Sequence, residues 1–163
     1  MDDPLRIGLG YDSHRLGSGG PLRIGGIDVP SDFYAIGHSD ADVVLHAITD
    51  ALLGAICDGD IGRLFPNTAA ENRSRDSADF VNEAVKRVHA AGFRVVNLDC
   101  VILAEHPKMA PHIDRMRKQI AELLCVDITR VSVKAKTGEG VGEIGTSQAI
   151  AARTVVLLTA SAT

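Results

Sequence analysis

The chain has 163 residues, which fits one domain, and 45% of them are hydrophobic, enough for a core, so the composition argues against disorder. A net charge of −4 argues against a nucleic-acid coat, which needs a basic surface, but leaves room for an anionic small molecule held by local donors and a metal. Three cysteines without a CxxC pair argue against a disulfide framework and favour a reducing compartment.

The first half of the chain predicts strands followed by a helix. Residues 5–11 are predicted to form a short strand, residues 17–20 a loop, and residues 21–29 a hairpin that turns at Gly25-Gly26. Residues 41–57 form a helix with an N-cap at Ser39-Asp40, and 59–68 form a loop. The apolar run in this helix is short and contains His46 and Asp50, so it predicts no membrane span, and the N-terminus shows no signal peptide.

The second half predicts alternating helices and strands. An amphipathic helix covers 77–91, a long strand 93–104, a helix 111–124 and a strand 131–135. Residues 137–147 form a glycine-rich loop, and the pattern of 150–158 does not separate strand from helix. With no repeat and no linker, the whole chain, residues 1–163, is interpreted as one α+β domain whose sheet is covered by helices.

Three residues predict a metal site. Asp12 and His14 are two apart on an extended segment, so they point to the same face, and His46 adds a ligand from a helix. Three protein ligands with an open fourth position are typical of a catalytic zinc. Asp-x-His alone is a weak signal, because most such triplets occur by chance.

The helix containing His46 has a polar stripe. Asp42, His46 and Asp50 are spaced by four, so they lie within roughly 80° on one face. On an otherwise apolar helix, such polar groups need partners. Asp50 is the natural group to orient a ligating imidazole of His46. The alternative is an ordinary exposed helix face.

Two further segments are candidate anion sites. Residues 37–42 place His38 and Ser39 at a helix start, which can bind phosphate or carboxylate, although an ordinary capped helix is the alternative. Residues 134–140 place lysines and Thr137 ahead of a glycine-rich turn without Walker A spacing. Glu139 there can hold a hard cation beside phosphates, or it is simply a solvated loop residue.

Taken together, these segments resemble the 2-C-methyl-D-erythritol 2,4-cyclodiphosphate synthase family of the non-mevalonate isoprenoid pathway. The similarity runs collinearly from about residue 5 to residue 158. The matching segments are RIGLGYDSH at 6–14, HSDAD at 38–42, HAITDALLG at 46–54, GDIGRLFPNT at 59–68, PKMAPHI at 107–113 and VKAKTGE at 133–139.

The resemblance implies a reaction and an assembly. The substrate is 4-diphosphocytidyl-2-C-methyl-D-erythritol 2-phosphate, whose 2-phosphate attacks the β-phosphorus, so that CMP leaves and a cyclic diphosphate forms. It implies a mixed sheet with helices packed on one face. It also implies a cytoplasmic or plastid-stromal homotrimer, with sheets facing the three-fold axis and active sites between subunits.

The resemblance also implies site residues. Zinc is held by Asp12, His14 and His46, and magnesium or manganese by Glu139, while His38 and Thr137 take the catalytic roles. The implied substrate contacts are Asp12, Ser13, His14, His38, Ser39, Asp60, Ile61, Gly62, Phe65, Pro66, Asn67, Thr68, Ala104, Glu105, His106, Pro107, Lys108, Met109, Ala110, Lys136, Thr137, Gly138 and Glu139.

Some positions depart from the family pattern. Asn67 replaces aspartate, Lys136 replaces threonine and Ala41 replaces glycine. Residues 145–150, which include Thr146, Ser147 and Gln148, lack the Arg-Gly-Glu that often lines the cavity on the trimer axis. Binding of an isoprenoid diphosphate in that cavity is therefore not implied for this chain.

Two other functions use the same residues. A zinc hydrolase with these three ligands would use water as its nucleophile and release inorganic phosphate or cleave a phosphoester. A non-catalytic trimer would only bind cytidine nucleotides, and such a protein could lose Asp12, His14 or Glu139. The joint presence of all three favours an enzyme.

Overall fold

The computed structural model describes residues 5–66 and 74–161, which form an α+β fold. Its strands are β1 (Leu5–Ser18), β2 (Leu22–Ile24), β3 (Ile27–Val29), β4 (Phe33–Ile36), β5 (Phe93–Leu103), β6 (Val131–Lys136) and β7 (Ala149–Ala160). Its helices are α1 (Val43–Ala55), α2 (Ile61–Leu64), α3 (Ser77–Ala90), α4 (Ile113–Leu124) and α5 (Gly142–Gly145), with 3₁₀ turns at Ala110–His112 and Ile128–Arg130.

Five strands form one mixed sheet in the order β4-β1-β7-β5-β6. The β4–β1, β1–β7 and β7–β5 pairs are antiparallel, and β5 and β6 are parallel. Strands β2 and β3 form the separate hairpin, which turns at Gly25-Gly26 as the sequence predicts. Both glycines have positive φ, 61° and 76°, and both donate their N–H groups to the buried carboxylate of Asp42.

The helices cover one face of the sheet, as the resemblance implies. Alternate residues of the central strands, such as Ile150 and Val156 of β7 and Leu98 of β5, are buried against α1 and its neighbours. On the opposite face Ile7 and Leu9 of β1 remain 74% and 69% exposed in the single chain. The sheet therefore has one face in the core and one open apolar face.

Several element boundaries differ from the sequence prediction. Strand β1 continues through Ser18, because Gly17 and Ser18 pair with β4, a strand that the pattern did not predict. Short helices, α2 and α5, interrupt the two predicted loops at 59–68 and 137–147. Residues 150–158 belong to strand β7, since they pair with β1 on one side and β5 on the other.

Helix α1 begins later than predicted. Its N-cap is Asp42, whose carboxylate accepts the N–H groups of Val44 and Leu45, and not Ser39-Asp40. Asp42 is therefore a fully buried structural cap that joins α1 to the β2–β3 turn.

Candidate metal centre

Two glycines in β1 let α1 lie directly on this strand. A Cβ at Gly8 or Gly10 would fall 1.8 Å from the carbonyl oxygen of Ala51 or Ala47, respectively. Two residues of a strand and four residues of a helix cover similar lengths, about 6 to 7 Å, so this contact continues along both elements. The next residues on that face of β1 are Asp12 and His14, and they meet His46 of α1.

The three predicted zinc ligands form a tight, half-buried cluster. Asp12 Oδ2 lies 2.8 Å from His14 Nε2 and 3.0 Å from His46 Nδ1. The two imidazoles are 3.2 Å apart between His14 Nε2 and His46 Nδ1. The sequence prediction that these residues converge is confirmed, although they come from positions 34 residues apart in the chain.

Hydrogen bonds on the far sides of both rings orient their lone pairs. His14 Nδ1 lies 3.1 Å from the carbonyl oxygen of Ile36, which can only accept, so this nitrogen carries a proton. His46 Nε2 lies 2.8 Å from Ser77 Oγ and 3.0 Å from Ser39 Oγ. With a proton on each of these outer nitrogens, the facing nitrogens would join the carboxylate of Asp12 as three acceptors turned toward each other.

The close approach of these three side chains shifts the pKa values of Asp12 and His14. Burial raises the pKa of Asp12, but hydrogen bonds and charge from the protonated rings of His14 and His46 outweigh burial and lower that pKa to about 2. Burial lowers the pKa of His14, but the hydrogen bond and charge of Asp12 outweigh it and raise that pKa overall. When His14 is protonated, its Nε2 donates to Asp12 at 2.8 Å, so the two side chains share that proton.

The donor set fits a divalent cation. One carboxylate and two imidazoles offer ligand atoms that all lie within 4.8 Å of one another. This is the ligand number of a catalytic zinc site with an open position. A cation would replace the shared proton and relieve the repulsion between the three acceptors.

Asp50 does not have the role that the sequence suggested. Its carboxylate accepts the backbone N–H of Ile61 at 2.8 Å and so fixes the start of α2. Burial raises the pKa of Asp50. The hydrogen bonds to the outer nitrogen of His46 come from Ser39 and Ser77 instead, because α3 approaches α1 on that side.

A cavity of about 540 Å³ opens beside the cluster. It combines the three cluster residues with polar and apolar groups from the end of β4 and the segment after it, from α2 and its C-cap, and from α3. The other lining residues are Ile36, Gly37, His38, Ser39, Ile61, Gly62, Phe65 and Phe80. Anionic groups that enter this cavity would therefore meet the cluster, His38 and Ser39 together.

Other predicted contacts surround this cavity less directly. Ser13 has its side chain on the opposite, exposed face of β1, so it is turned away from the cluster. Asp60 caps α2 by accepting the N–H of Arg63 at 2.9 Å. Pro66 follows Phe65, whereas Asn67 and Thr68 lie outside the described residues.

The remaining predicted residues form a second group at the ends of β5 and β6. The N–H of Ala104 donates to the carbonyl of Lys136, and the carboxylate of Glu105 accepts the N–H of Gly138 at 2.9 Å. Thr137 Oγ1 donates to Glu139 Oε1 at 3.3 Å.

A cavity of about 820 Å³ reaches this second group of residues at His106, Pro107 and Lys108. Met109 is buried and Ala110 opens a 3₁₀ turn.

The two groups occupy separate strands of the sheet. Asp12 pairs with Ala152, Ala152 pairs with Ile102, and Ile102 pairs with Ala135. Three strand spacings of about 4.8 Å separate Asp12 from Ala135, or roughly 14 Å across the sheet. One chain therefore carries the metal cluster and the Thr137–Glu139 group at the same end of the sheet but apart.

Sequence reasoning missed four of the described residues near the cluster: Ile36, Gly37, Ser77 and Phe80. Phe80 lies on the buried face of α3, and its ring lies 5.8 Å from that of His46. A Cβ at Gly37 would lie 3.2 Å from His14 Cε1, so glycine leaves room for that ring. Contacts between residues this far apart leave no local pattern.

Among the residues that the structure describes, none of the helices combines the length and the apolar character that crossing a bilayer requires.

Comparison with known proteins gives a consistent result. A 2-C-methyl-D-erythritol 2,4-cyclodiphosphate synthase from Rhodopirellula baltica is 68% identical over 154 residues, which cover 94% of this chain and 93% of that protein. A solved 2C-methyl-D-erythritol-2,4-cyclodiphosphate synthase in its CDP-bound form is 40% identical, with a TM-score of 0.87 over 94% of this chain and 99% of that one.

A bifunctional protein from Campylobacter jejuni, solved as a structure, is 35% identical with a TM-score of 0.92. The match covers 96% of this chain but 42% of that longer one, so the similarity concerns part of the bifunctional protein. Residues 5–159 match the YgbB family, and this chain is a member of that family.

Proposed function

We propose that this protein is a 2-C-methyl-D-erythritol 2,4-cyclodiphosphate synthase. It converts 4-diphosphocytidyl-2-C-methyl-D-erythritol 2-phosphate to the 2,4-cyclodiphosphate and CMP. The Rhodopirellula relative carries this name at 68% identity, and the CDP-bound relative supports a cytidine nucleotide as ligand. The observation that carries the proposal is the convergence of Asp12, His14 and His46 beside a cavity sized for a small molecule.

The main barrier in this reaction is the approach of two anionic phosphates, so positioning and charge compensation decide the rate. Asp12, His14 and His46 would hold zinc, and Glu139 magnesium or manganese. When bound, these cations supply Lewis-acid stabilisation of phosphate charge. The substrate brings its own nucleophile, the 2-phosphate, so the chain needs no nucleophilic side chain.

The side chains around the cavity support defined roles. His38 and Ser39 lie next to the cluster and would donate hydrogen bonds to the 2-phosphate. Thr137 is exposed, and its hydroxyl donates to Glu139 at 3.3 Å. When Glu139 holds a cation, that hydroxyl would donate to a phosphate oxygen in the transition state. Asp60 and Gly62 would meet the sugar hydroxyls at the α2 end of the cavity.

The cytidine is assigned to the second group of residues. Main-chain groups of 104–110, together with Lys136, would surround the base and ribose. The contacts from Ala104 to Lys136 and from Glu105 to Gly138 keep this segment next to Thr137 and Glu139. Cytidine binding and diphosphate binding are thereby linked at the ends of β5 and β6.

A homotrimer with shared active sites is the second part of the proposal. A separation of roughly 14 Å between the two groups in one chain exceeds the few ångströms between adjacent phosphates of one diphosphate. Pairing the metal cluster of one subunit with the Glu139 group of another removes this gap. The open apolar face of the sheet supports the packing of three copies around an axis.

The free cysteines agree with a reducing compartment. Cys57, Cys100 and Cys125 are all unpaired. We assign the enzyme to the cytoplasm, or to the plastid stroma if a transit peptide has been removed.

The direct test is to incubate the purified protein with the cytidine diphosphate substrate, zinc and magnesium, and to follow products by phosphorus NMR. CMP together with a cyclic diphosphate is the expected result. Inorganic phosphate or a linear hydrolysis product would instead identify a zinc hydrolase. Binding of the cytidine substrate without turnover would identify a non-catalytic binding protein.

A further inference from the structure

We infer that Ser77, anchored by Asp40, is a positioning residue that fixes the tautomer of His46 and aims its Nδ1 lone pair at the bound cation. The inference rests on the proposed function insofar as a cation occupies the cluster of Asp12, His14 and His46. It assigns a role to the start of α3, which contributes no ligand.

The contact between Ser77 and His46 is short and is buried from solvent. Ser77 Oγ lies 2.8 Å from His46 Nε2, and Ser77 is completely buried. The ring of His46 packs against Phe80, one turn further along α3. Ser77 therefore holds His46 from a position that solvent does not reach.

Asp40 orients the hydroxyl of Ser77. The Ser77 hydroxyl donates to Asp40 Oδ1, and the backbone N–H of Ser77 donates to Asp40 Oδ2 at 3.0 Å. The carboxylate also accepts the N–H of Asp42 at 3.1 Å and faces Arg23 Nε at 3.8 Å. These partners fix the carboxylate, so the hydroxyl has one direction in which to donate.

Counting protons then determines the state of His46. An ionised carboxylate only accepts, and a serine hydroxyl has a single proton, which here goes to Asp40. The oxygen of Ser77 can therefore only accept from His46, so Nε2 carries the imidazole proton. Nδ1 is left as the lone pair, and it is Nδ1 that faces Asp12 and His14.

Ser39 touches the same nitrogen but is suited to a different task. Its Oγ lies 3.0 Å from His46 Nε2 and accepts the N–H of Ala41 at 3.2 Å. Unlike Ser77, Ser39 lines the cavity. Its own proton is therefore available to a ligand, whereas the proton of Ser77 is committed to Asp40.

The test compares cobalt(II) affinity among four proteins, measured by visible absorption against a competing chelator. Ser77→Ala should weaken binding about 10- to 100-fold, the usual effect of removing the partner of a ligating histidine. Asp76→Ala is the matched control, because it removes the α3 cap bond to Ala78 N without touching His46, and its affinity should stay within twofold of wild type. Ser39→Ala removes the longer contact, 3.0 Å, to the same nitrogen and should weaken cobalt binding less than Ser77→Ala does.

A second measurement needs no variant. Nitrogen-15 NMR of the zinc-loaded wild-type protein, in which Nδ1 of His46 would face the cation, should show His46 protonated at Nε2. In Ser77→Ala this preference should weaken. An Nδ1–H tautomer in the wild-type protein would overturn the inference even if Ser77→Ala does not fold.

The outcomes separate this inference from the proposed function. Unchanged cobalt affinity in Ser77→Ala, beside a wild-type protein that binds cobalt and releases CMP, would overturn the role of Ser77 alone. A wild-type protein that neither binds cobalt nor releases CMP would overturn the proposed metal site, and the role of Ser77 with it.

Discussion

Gly10 of β1 and Ala47 of α1 touch through their backbones. A Cβ at residue 10 would fall 1.8 Å from the carbonyl oxygen of Ala47, closer than any real contact. This approach places α1 directly on the strand, so that His46, the residue before Ala47, reaches the side chains of Asp12 and His14. A residue without a side chain thus sets the geometry of the candidate metal centre.

Gly10→Ala should therefore displace α1 and damage both the fold and the cluster. We expect a loss of about 1 to 3 kcal/mol in the free energy of unfolding, as for other overpacked cores, together with weaker zinc binding. Chemical denaturation and zinc titration measure the two effects.

Gly54→Ala, in helix α1, is the matched control. A Cβ there meets nothing within 4 Å, so the change should stabilise α1 by about 0.5 to 1 kcal/mol and leave zinc affinity unchanged. An equal free energy of unfolding for the Gly10→Ala variant and the wild-type protein would show that α1 moves away from β1 without loss of stability.

His46→Ala should abolish bound zinc and CMP release while the oligomer persists. The imidazole supplies one of three ligands, but its ring lies at the cavity and away from the open face of the sheet. Metal analysis of the purified variant together with light scattering tests this expectation. A normal zinc content would refute the assignment of His46.

The stability of the metal-free protein should depend on pH through His14 and Asp12. The pKa of His14 is raised in the folded state, so its contribution is complete below the unfolded value of about 6.5 and is lost as pH rises through the folded pKa. The pKa of Asp12 is lowered to about 2, so its contribution is complete above about 3.8 and is lost as pH falls toward 2.

Thermal unfolding of chelator-treated protein across this range measures the effect. The midpoint should decline above pH 6.5, and Asp12→Asn should remove that decline because it removes the charge that raises the pKa of His14. Zinc should also remove it, since the cation replaces the shared proton. A decline that is identical in Asp12→Asn would assign it to other groups.

Leu9→Arg should disrupt the proposed trimer. Leu9 is 69% exposed on the open face of the sheet, where a second copy would cover it, and a buried unpaired charge is costly. We expect the mass to fall from three times 17.2 kDa to one chain, with CMP release lost and zinc binding retained. Zinc binding persists because Leu9 points away from the cluster.

Ile128→Arg provides the comparison for the Leu9 variant. Ile128 is an exposed apolar residue of a 3₁₀ turn, 38% accessible, and does not belong to the sheet. Light scattering should show its mass unchanged. A trimeric Leu9 variant would mean that the open face of the sheet does not form the subunit interface.

The sequence by itself determined the chemistry of the cluster. Alternation along a strand places Asp12 and His14 on one face, and the apolar helix containing His46 needs polar partners, so the ligand set followed from local periodicity. The sequence also predicted the turn at Gly25-Gly26, because glycine is the residue that most readily adopts the positive φ that this turn has.

Only the tertiary structure decided which groups hold the ligands in place. Asp50 looked suited to His46 by helical spacing, yet it fixes the start of α2, while Ser77, 31 residues away in the chain, takes the outer nitrogen of His46. Strand β4 and the last residues of β1 are extended because they pair with each other, so neither was predicted from its own sequence. Local patterns record which face of an element is apolar, but not which distant hydrogen-bonding group the packing brings against it.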